Sequence, residues 1–237
     1  MKAERETNHL LDGGFSAATA LNSGRGRQRA LDQSAVTEVG LRIVREHGLS
    51  GLTMRRVASE LDVALATLYS VAGSKAAILN AMIESVLAEL PHVEPEPGRE
   101  RDALVQLWTA THEVLLAHPE VAQLAALQPI GTAGLFGLVQ ATLDTLDTAG
   151  VDREDAVVAY QTLRSYSLGY TLLRITRSGA GAEPEKDRRQ AMSSLPPERY
   201  PLVIASADEL AGPMTTDQYI SGITRIVDAF IVSRRSR

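Results

Sequence analysis

Between Leu52 and Lys75 apolar residues recur at the spacing of two short helices rather than one long one. Met54, Val57, Ala58 and Leu61 fall at i, i+3, i+4 and i+7, one face of a helix, with Thr53 ahead of them as a natural N-cap. Arg55, Arg56, Ser59 and Glu60 then face outward. Past Asp62, a second stripe of Val63, Leu65, Leu68 and Tyr69 leaves Ala64, Ala66, Thr67 and Ser70 off it. Two helices that share one small core and expose a row of small side chains are what a helix-turn-helix needs to enter a major groove.

The helical period continues on both sides. Asp32 as N-cap and Gly48 as stop bracket a first helix to His47, with Val36, Val39, Gly40, Ile43, Val44 and His47 on its inner face. Ser74 begins a helix through Leu90 that carries Ile78, Leu79, Met82, Ile83, Val86 and Leu87, and Pro91 ends it. The breaker-rich run over 91–98 (PHVEPEPG) marks a domain boundary. Beyond it, proline, glycine and acidic caps predict helices over about 100–117, 119–128, 132–149, 153–178 and 198–211, with a last one from Thr216 to Val232. The Gly-, Pro- and charge-rich residues 179–197 read as a mobile connection. The pattern gives an all-α chain of about ten helices. A tail over residues 1–24 precedes a three-helix helix-turn-helix domain over 25–90, and a larger helical domain follows over 91–237.

Composition narrows the chemistry. The 237 residues suffice for a real core, and 44% apolar with 22% charged residues is ordinary for a soluble globular protein. No window reaches the roughly 18 uninterrupted apolar residues of a membrane span, and acids interrupt the N-terminus where a signal peptide would need an apolar run. A cytoplasmic address is the expectation. The absence of cysteine excludes disulfides, thiolate metal sites and cysteine nucleophiles. The net charge of -5 hides an asymmetry. From Ser23 to Lys75 eight Lys/Arg stand against five acids, a balance of +3 that leaves -8 on the remainder. A basic segment on an acidic body is expected when one part meets phosphate and the other does not. Arg25, Arg27 and Arg29, on alternate positions before the first helix, form an arm able to reach along a DNA backbone or into a minor groove.

The run GLTMRRVASELDVALATLY over 51–69, with Lys75 and Ile78 to Met82 behind it, strongly resembles the DNA-binding domain of the tetracycline-repressor (TetR) family of one-component bacterial regulators. The segment LPPERYPLVIASADEL over 195–210 looks like the C-terminal domain of that family's tetracycline-repressor-like branch. Carried over residue by residue, the resemblance implies that Thr53 and Arg55 or Arg56 meet phosphate at a helix N-terminus. It implies that Ala64, Ala66, Thr67 and Ser70 face base edges, with Tyr69 and Lys75 on the phosphate backbone. Three departures follow. Asp62 stands where the family usually has Gly in the turn, Ala64 where it often has a Ser or Thr cap, and Ser70, Val71 and Ala72 where larger or basic residues and then an aromatic or histidine are common. The groove-facing set is therefore small and poor in bidentate hydrogen-bonding groups, so specificity is expected to lean on the arm, DNA shape and dimer spacing.

The resemblance also implies that the C-terminal domain dimerises and senses a small molecule. For the homodimer the chain offers the 153–178 helix and the last helix, where Tyr219, Ile220, Ile223, Ile226, Val227 and Phe230 make a broad apolar face. For the effector it offers Trp108, Thr111, His112, Leu115, Gln128, Phe136, Gln161, Tyr166, Tyr170 and Arg174. His112 and His118 are six apart, off the i, i+4 spacing of helical metal ligands, and no catalytic motif is present, so neither a metal, a cofactor nor an enzymatic activity is expected. The resulting expectation is a repressor released from operator DNA by a small molecule. The alternative is an all-helical small-molecule-binding protein or enzyme whose reader no longer grips DNA.

Overall fold

A computed structural model describes residues 31–94, 96–127, 133–179 and 183–231. The arginine arm, the tail and Gln128 lie outside the described residues. The first helix, α1 (Gln33–Gly51), opens where Asp32 accepts the Ala35 N–H at 2.8 Å. It buries Val36, Val39, Gly40, Ile43 and Val44. Gly48, at φ 67°, breaks it, so its last residues form a separate turn, and His47 is exposed rather than on the inner face. α2 (Met54–Glu60) starts where the Thr53 hydroxyl oxygen accepts the Arg56 N–H at 3.2 Å, and it buries Val57 and Ala58.

The turn into α3 (Leu65–Ala72) is made by Asp62 at φ 52°, a left-handed conformation that glycine adopts without cost. Ala64 sits at the N-cap with no side-chain bond to give. The expected stripe on this helix is narrower than its pattern. Only Leu68 and Ala72, four apart, are buried, whereas Leu65 and Tyr69 stand 36% and 48% exposed. Because the helix begins at Leu65, Val63 lies outside it and Tyr69 is turned one position away from the core-facing Leu68. α4 (Lys75–Leu87), capped by Ser74 through the Ala77 N–H at 3.1 Å, buries Ile78, Leu79, Met82, Ile83, Val86 and Leu87 and stops a turn short of the predicted Leu90. It packs on α1 at Gly40, where a Cβ would come within 3.1 Å of the Met82 sulfur.

The body contains α5 (Glu100–Ala117), α6 (Pro119–Leu127), α7 (Ala133–Thr148), α8 (Arg153–Gly179) and the C-terminal α12 (Thr216–Ile231). Between the last two lie α9 (Glu183–Ser193), α10 (Pro201–Ala205) and α11 (Ala207–Ala211), which makes twelve helices and no strand among the described residues. α9 corrects the reading of 179–197 as a mobile connection. Its charges are ordered by pairing: Arg189 meets Glu185 one turn back at 3.0 Å and Asp208 of α11 at 2.7 Å, and Arg188 donates to the Ala211 carbonyl. The helix expected over 198–211 is two short ones, interrupted at Ser206.

α5, α8 and α12 meet at a buried polar junction. The Tyr219 hydroxyl donates to the Trp108 carbonyl at 2.8 Å and is met by Ser167 Oγ at 2.6 Å, so Ser167 is the donor in that pair. The His112 ring stacks on Tyr219 with centroids 4.0 Å apart. Its Nε2 faces the Arg174 guanidinium at 3.2 Å and its Nδ1 faces Thr171 Oγ1 at 2.7 Å. Arginine can only donate, so Nε2 accepts and the single proton sits on Nδ1, given to Thr171, whose hydroxyl passes on to the Ser167 carbonyl. At the outer rim Arg101 of α5 grips Asp228 of α12 with two bonds of 2.6 and 3.2 Å. Tyr219, Ile223 and Val227 are thus core residues of one subunit and cannot form the dimer face expected of them.

Asp62→Gly relieves the left-handed turn and Ala64→Ser supplies the missing cap, each raising stability by about 1 kcal/mol in urea unfolding. For His112, burial first and Arg174 second lower the pKa from 6.5 to about 4. The unfolded chain takes up the proton near pH 6.5 while the fold refuses it until about 4, so stability is undiminished above pH 6.5 and falls as the pH drops through that window. The slope is at most about 1.4 kcal/mol per pH unit. His112→Gln lacks this loss, so its stability deficit relative to the native chain narrows by about 2 kcal/mol between pH 7 and 4.5.

Candidate nucleic-acid interface and effector cavity

The candidate reader is a row of exposed groups along the α2–α3 edge. Thr53, Arg55, Ala64, Ala66, Thr67, Tyr69 and Ser70 are exposed, and Arg56 and Lys75 half-exposed. Lys75 is the first residue of α4, and Arg55 and Arg56 lie in the first turn of α2, so all three cations stand at helix N-termini, where unpaired N–H groups add to the attraction for phosphate. Not every nearby cation is available. Arg42 is held by Glu60 at 2.9 Å and Arg45 by Glu120 at 3.1 Å, whereas Arg55, Arg56 and Lys75 have no ion pair among the described residues. The Ser70 hydroxyl donates back to the Thr67 carbonyl at 2.8 Å, which reduces it to an acceptor for a base edge. Leu65 joins this surface, a member missed because it was placed in the core stripe. Ala64 holds the N-cap with extended backbone, which makes Leu65 the first helical residue.

In the body, Trp108, Thr111 and Leu115 of α5 line a cavity of about 50 Å³. Ile83 and Leu87 of α4, Val121 and Ala125 of α6, Leu135 and Leu138 of α7, and Tyr160, Arg164, Ser167 and Leu168 of α8 complete it. Trp108 is 1% exposed, its ring lies 6.0 Å from that of Tyr160, and its indole N–H has no acceptor among the described residues. Leu135, Tyr160 and Arg164 also border an open groove of about 540 Å³ between α7 and α8, where Phe136 and Gln161 stand. Phe136 is 61% exposed there.

His112, Tyr166, Tyr170 and Arg174 are not brought to this cavity. They belong to the buried junction, where Tyr166 donates to the Tyr219 carbonyl at 3.3 Å, Tyr170 to the Thr215 carbonyl at 2.8 Å and Arg174 to Thr216 Oγ1 at 2.7 Å. The α8 residues that do reach it, Tyr160, Arg164, Ser167 and Leu168, fall at i, i+4, i+7 and i+8, a register one position from the expected Gln161. A separate cleft of about 560 Å³ lies under the 91–94 connection beside α7. It shares Leu87 and Leu138 with the inner cavity but is open and edged by Glu94 and Asp144. The inner cavity is the stronger effector candidate, because five helices converge on it and it holds a buried donor without a partner.

Comparison with known proteins agrees with this two-part arrangement. Residues 36–82 match the family described as bacterial regulatory proteins, tetR family, and residues 94–228 match the tetracyclin repressor-like C-terminal domain. The HTH-type transcriptional repressor DrrR1 of Streptomyces coeruleorubidus is 25% identical over 232 residues, spanning 90% of this chain and 82% of that protein. The tetracycline repressor protein class A from transposon 1721 of Escherichia coli is 29% identical over 209 residues, 86% of this chain and 92% of that one. Among solved structures, the Streptomyces coelicolor TetR family protein ActR in complex with actinorhodin superimposes with a TM-score of 0.76 at 26% identity, covering 86% of this chain and 97% of ActR. The chain belongs to the TetR family of bacterial regulatory proteins, in its tetracyclin-repressor-like branch, and is a ligand-responsive, DNA-binding transcriptional repressor.

Proposed function

We propose that this repressor holds its operator in the cytoplasm as a homodimer, and that a small molecule entering the cavity beneath α4 releases it. The observation that carries the proposal is that one helix serves both sites. α4 presents Lys75 at its N-terminus beside the reader and contributes Ile83 and Leu87 to the cavity wall. Its Glu84 also accepts the Gly134 N–H of α7 at 2.7 Å, so a ligand that displaces α7 pulls on the helix that positions Lys75. A second tie, Arg45 of α1 to the nearly buried Glu120 of α6, joins the reader to the body from the other side. The likeness to ActR, solved with actinorhodin and with (S)-DNPA, supports a small-molecule effector here. Reciprocity requires that operator DNA weaken effector binding by the same factor as effector weakens DNA binding.

Dimerisation is assigned to α8. Val158, Thr162, Ser165, Gly169 and Leu173 recur every three or four residues along its exposed side, and Val158 and Leu173 are 48% and 55% exposed. Small residues there permit two helices to approach closely, and two readers are needed for two half-sites. Of the apolar face on α12, Ile220, Ile226 and Phe230 remain half-buried and able to extend the contact, since Tyr219, Ile223 and Val227 lie inside the subunit.

DNA from upstream of the repressor's own gene tests the reading by fluorescence anisotropy. Lys75→Ala should weaken binding to all sequences alike and reduce the slope of log affinity against log salt by about 2, one phosphate for each subunit. A native chain that binds no DNA saturably would instead mark the reader as vestigial. Gly169 has no neighbouring atom within 4 Å of where a Cβ would stand, so Gly169→Glu is harmless to an isolated subunit. Its expected effect is a monomer in sedimentation and at least a tenfold loss of operator affinity. An unchanged dimer would place the interface elsewhere.

A further inference from the structure

We infer that the effector site selects ligands presenting a hydrogen-bond acceptor or an anionic group on an apolar ring system, with Arg164 as the residue that discriminates charge. The inference rests on the reading of the cavity beneath α4 as the effector site. Its buried unpartnered group and its one charged group are both donors. The Trp108 indole N–H, buried and without an acceptor among the described residues, can only donate. Arg164 lies at the threshold shared by cavity and groove and has no ion pair among the described residues. Tyr160, on the same threshold, keeps its hydroxyl proton because burial raises its pKa, an effect that nearby Arg164 opposes only in part.

Thr111 and Ser167 have given their protons to the Leu107 carbonyl and to Tyr219, so their hydroxyls are left as neutral acceptors and carry no charge to oppose that of Arg164. No Asp or Glu lines either the cavity or the groove. A cationic ligand would leave Trp108 unsatisfied and bring a like charge to Arg164, whereas a carboxylate, phenolate or ring carbonyl answers both. The sizes set the pose: about 50 Å³ admits only the acceptor-bearing end, and the 540 Å³ groove beside Phe136 takes the rings. The larger cleft near the 91–94 connection has the opposite character, with Glu94 and Asp144 at its edge.

The test is a calorimetric titration of the full chain with three probes of one shape: 2-naphthoate, naphthalene-2-carboxamide and 2-naphthylmethylammonium. Trp108, the chain's single tryptophan, reports occupancy by its fluorescence. The naphthoate should bind at least tenfold more tightly than the ammonium. Arg164→Met should collapse that gap and spare the carboxamide, and Trp108→Phe should weaken both acceptor-bearing probes. Equal affinity for all three, preference for the ammonium, or no binding of any overturns the inference. DNA anisotropy run alongside separates it from the reading beneath it. A chain that grips its operator and is released by compounds regardless of charge keeps the repressor and loses the selectivity. A chain that shows the charge ranking but binds no operator does the reverse.

Discussion

The body is built around the contact between Tyr219 and His112. A phenol ring and an imidazole stacked with centroids 4.0 Å apart bring three helices to a point where the linked hydrogen bonds each run in one direction. Arg174 fixes the acceptor nitrogen of His112, the imidazole then fixes Thr171, and Tyr219 fixes Ser167. Such a network tolerates one arrangement of α5, α8 and α12, because a rotation of any of them strands a buried donor or acceptor. Gly222 of α12 lies under Tyr166, where a Cβ would overlap the phenol, so the close approach of α8 and α12 depends on that glycine as well. The result is a stiff three-helix frame.

The helices nearer the reader are tied to the body by separable polar contacts. α4 touches α1, α3, α5, α6 and α7, and its ties include single polar bonds such as Glu84 to Gly134. The cavity sits where the stiff frame meets these movable elements: its α5 and α8 walls belong to the frame, and its α4, α6 and α7 walls do not. A ligand wedged there has a fixed surface to push from and a lighter one to displace, which is what coupling between two sites requires.

The local architecture was legible in the sequence, because caps and periodicity are short-range. Asp32, Thr53 and Ser74 each cap the helix they were expected to cap, and the two irregularities at Asp62 and Ala64 were visible as departures from a pattern. Less legible was which side of a helix serves which purpose. A broad apolar face on α12 fits an interface or a core equally well until its neighbours are known, and Tyr219, Ile223 and Val227 proved to be core. On α8 the cavity face and the junction face differ by a rotation that spacing within one helix does not fix. Tyr166, Tyr170 and Arg174 therefore joined the frame, while Tyr160 and Arg164 reached the cavity. α9 was missed because its order comes from Arg189 pairing with Asp208, a partner on another helix.

The narrow core face of α3 bears on how such a regulator diversifies. Only Leu68 and Ala72 of its eight residues are buried, and the remaining six carry little of the fold. Substitutions at those six positions are nearly neutral for folding, so the helix can pass through many surface compositions without losing its structure. If α3 reads the operator as proposed, operator preference and protein stability fall to separate residues of a single helix. A lineage carrying this scaffold can change the DNA it reads by small steps, none of which has to be rescued by compensating changes in the body.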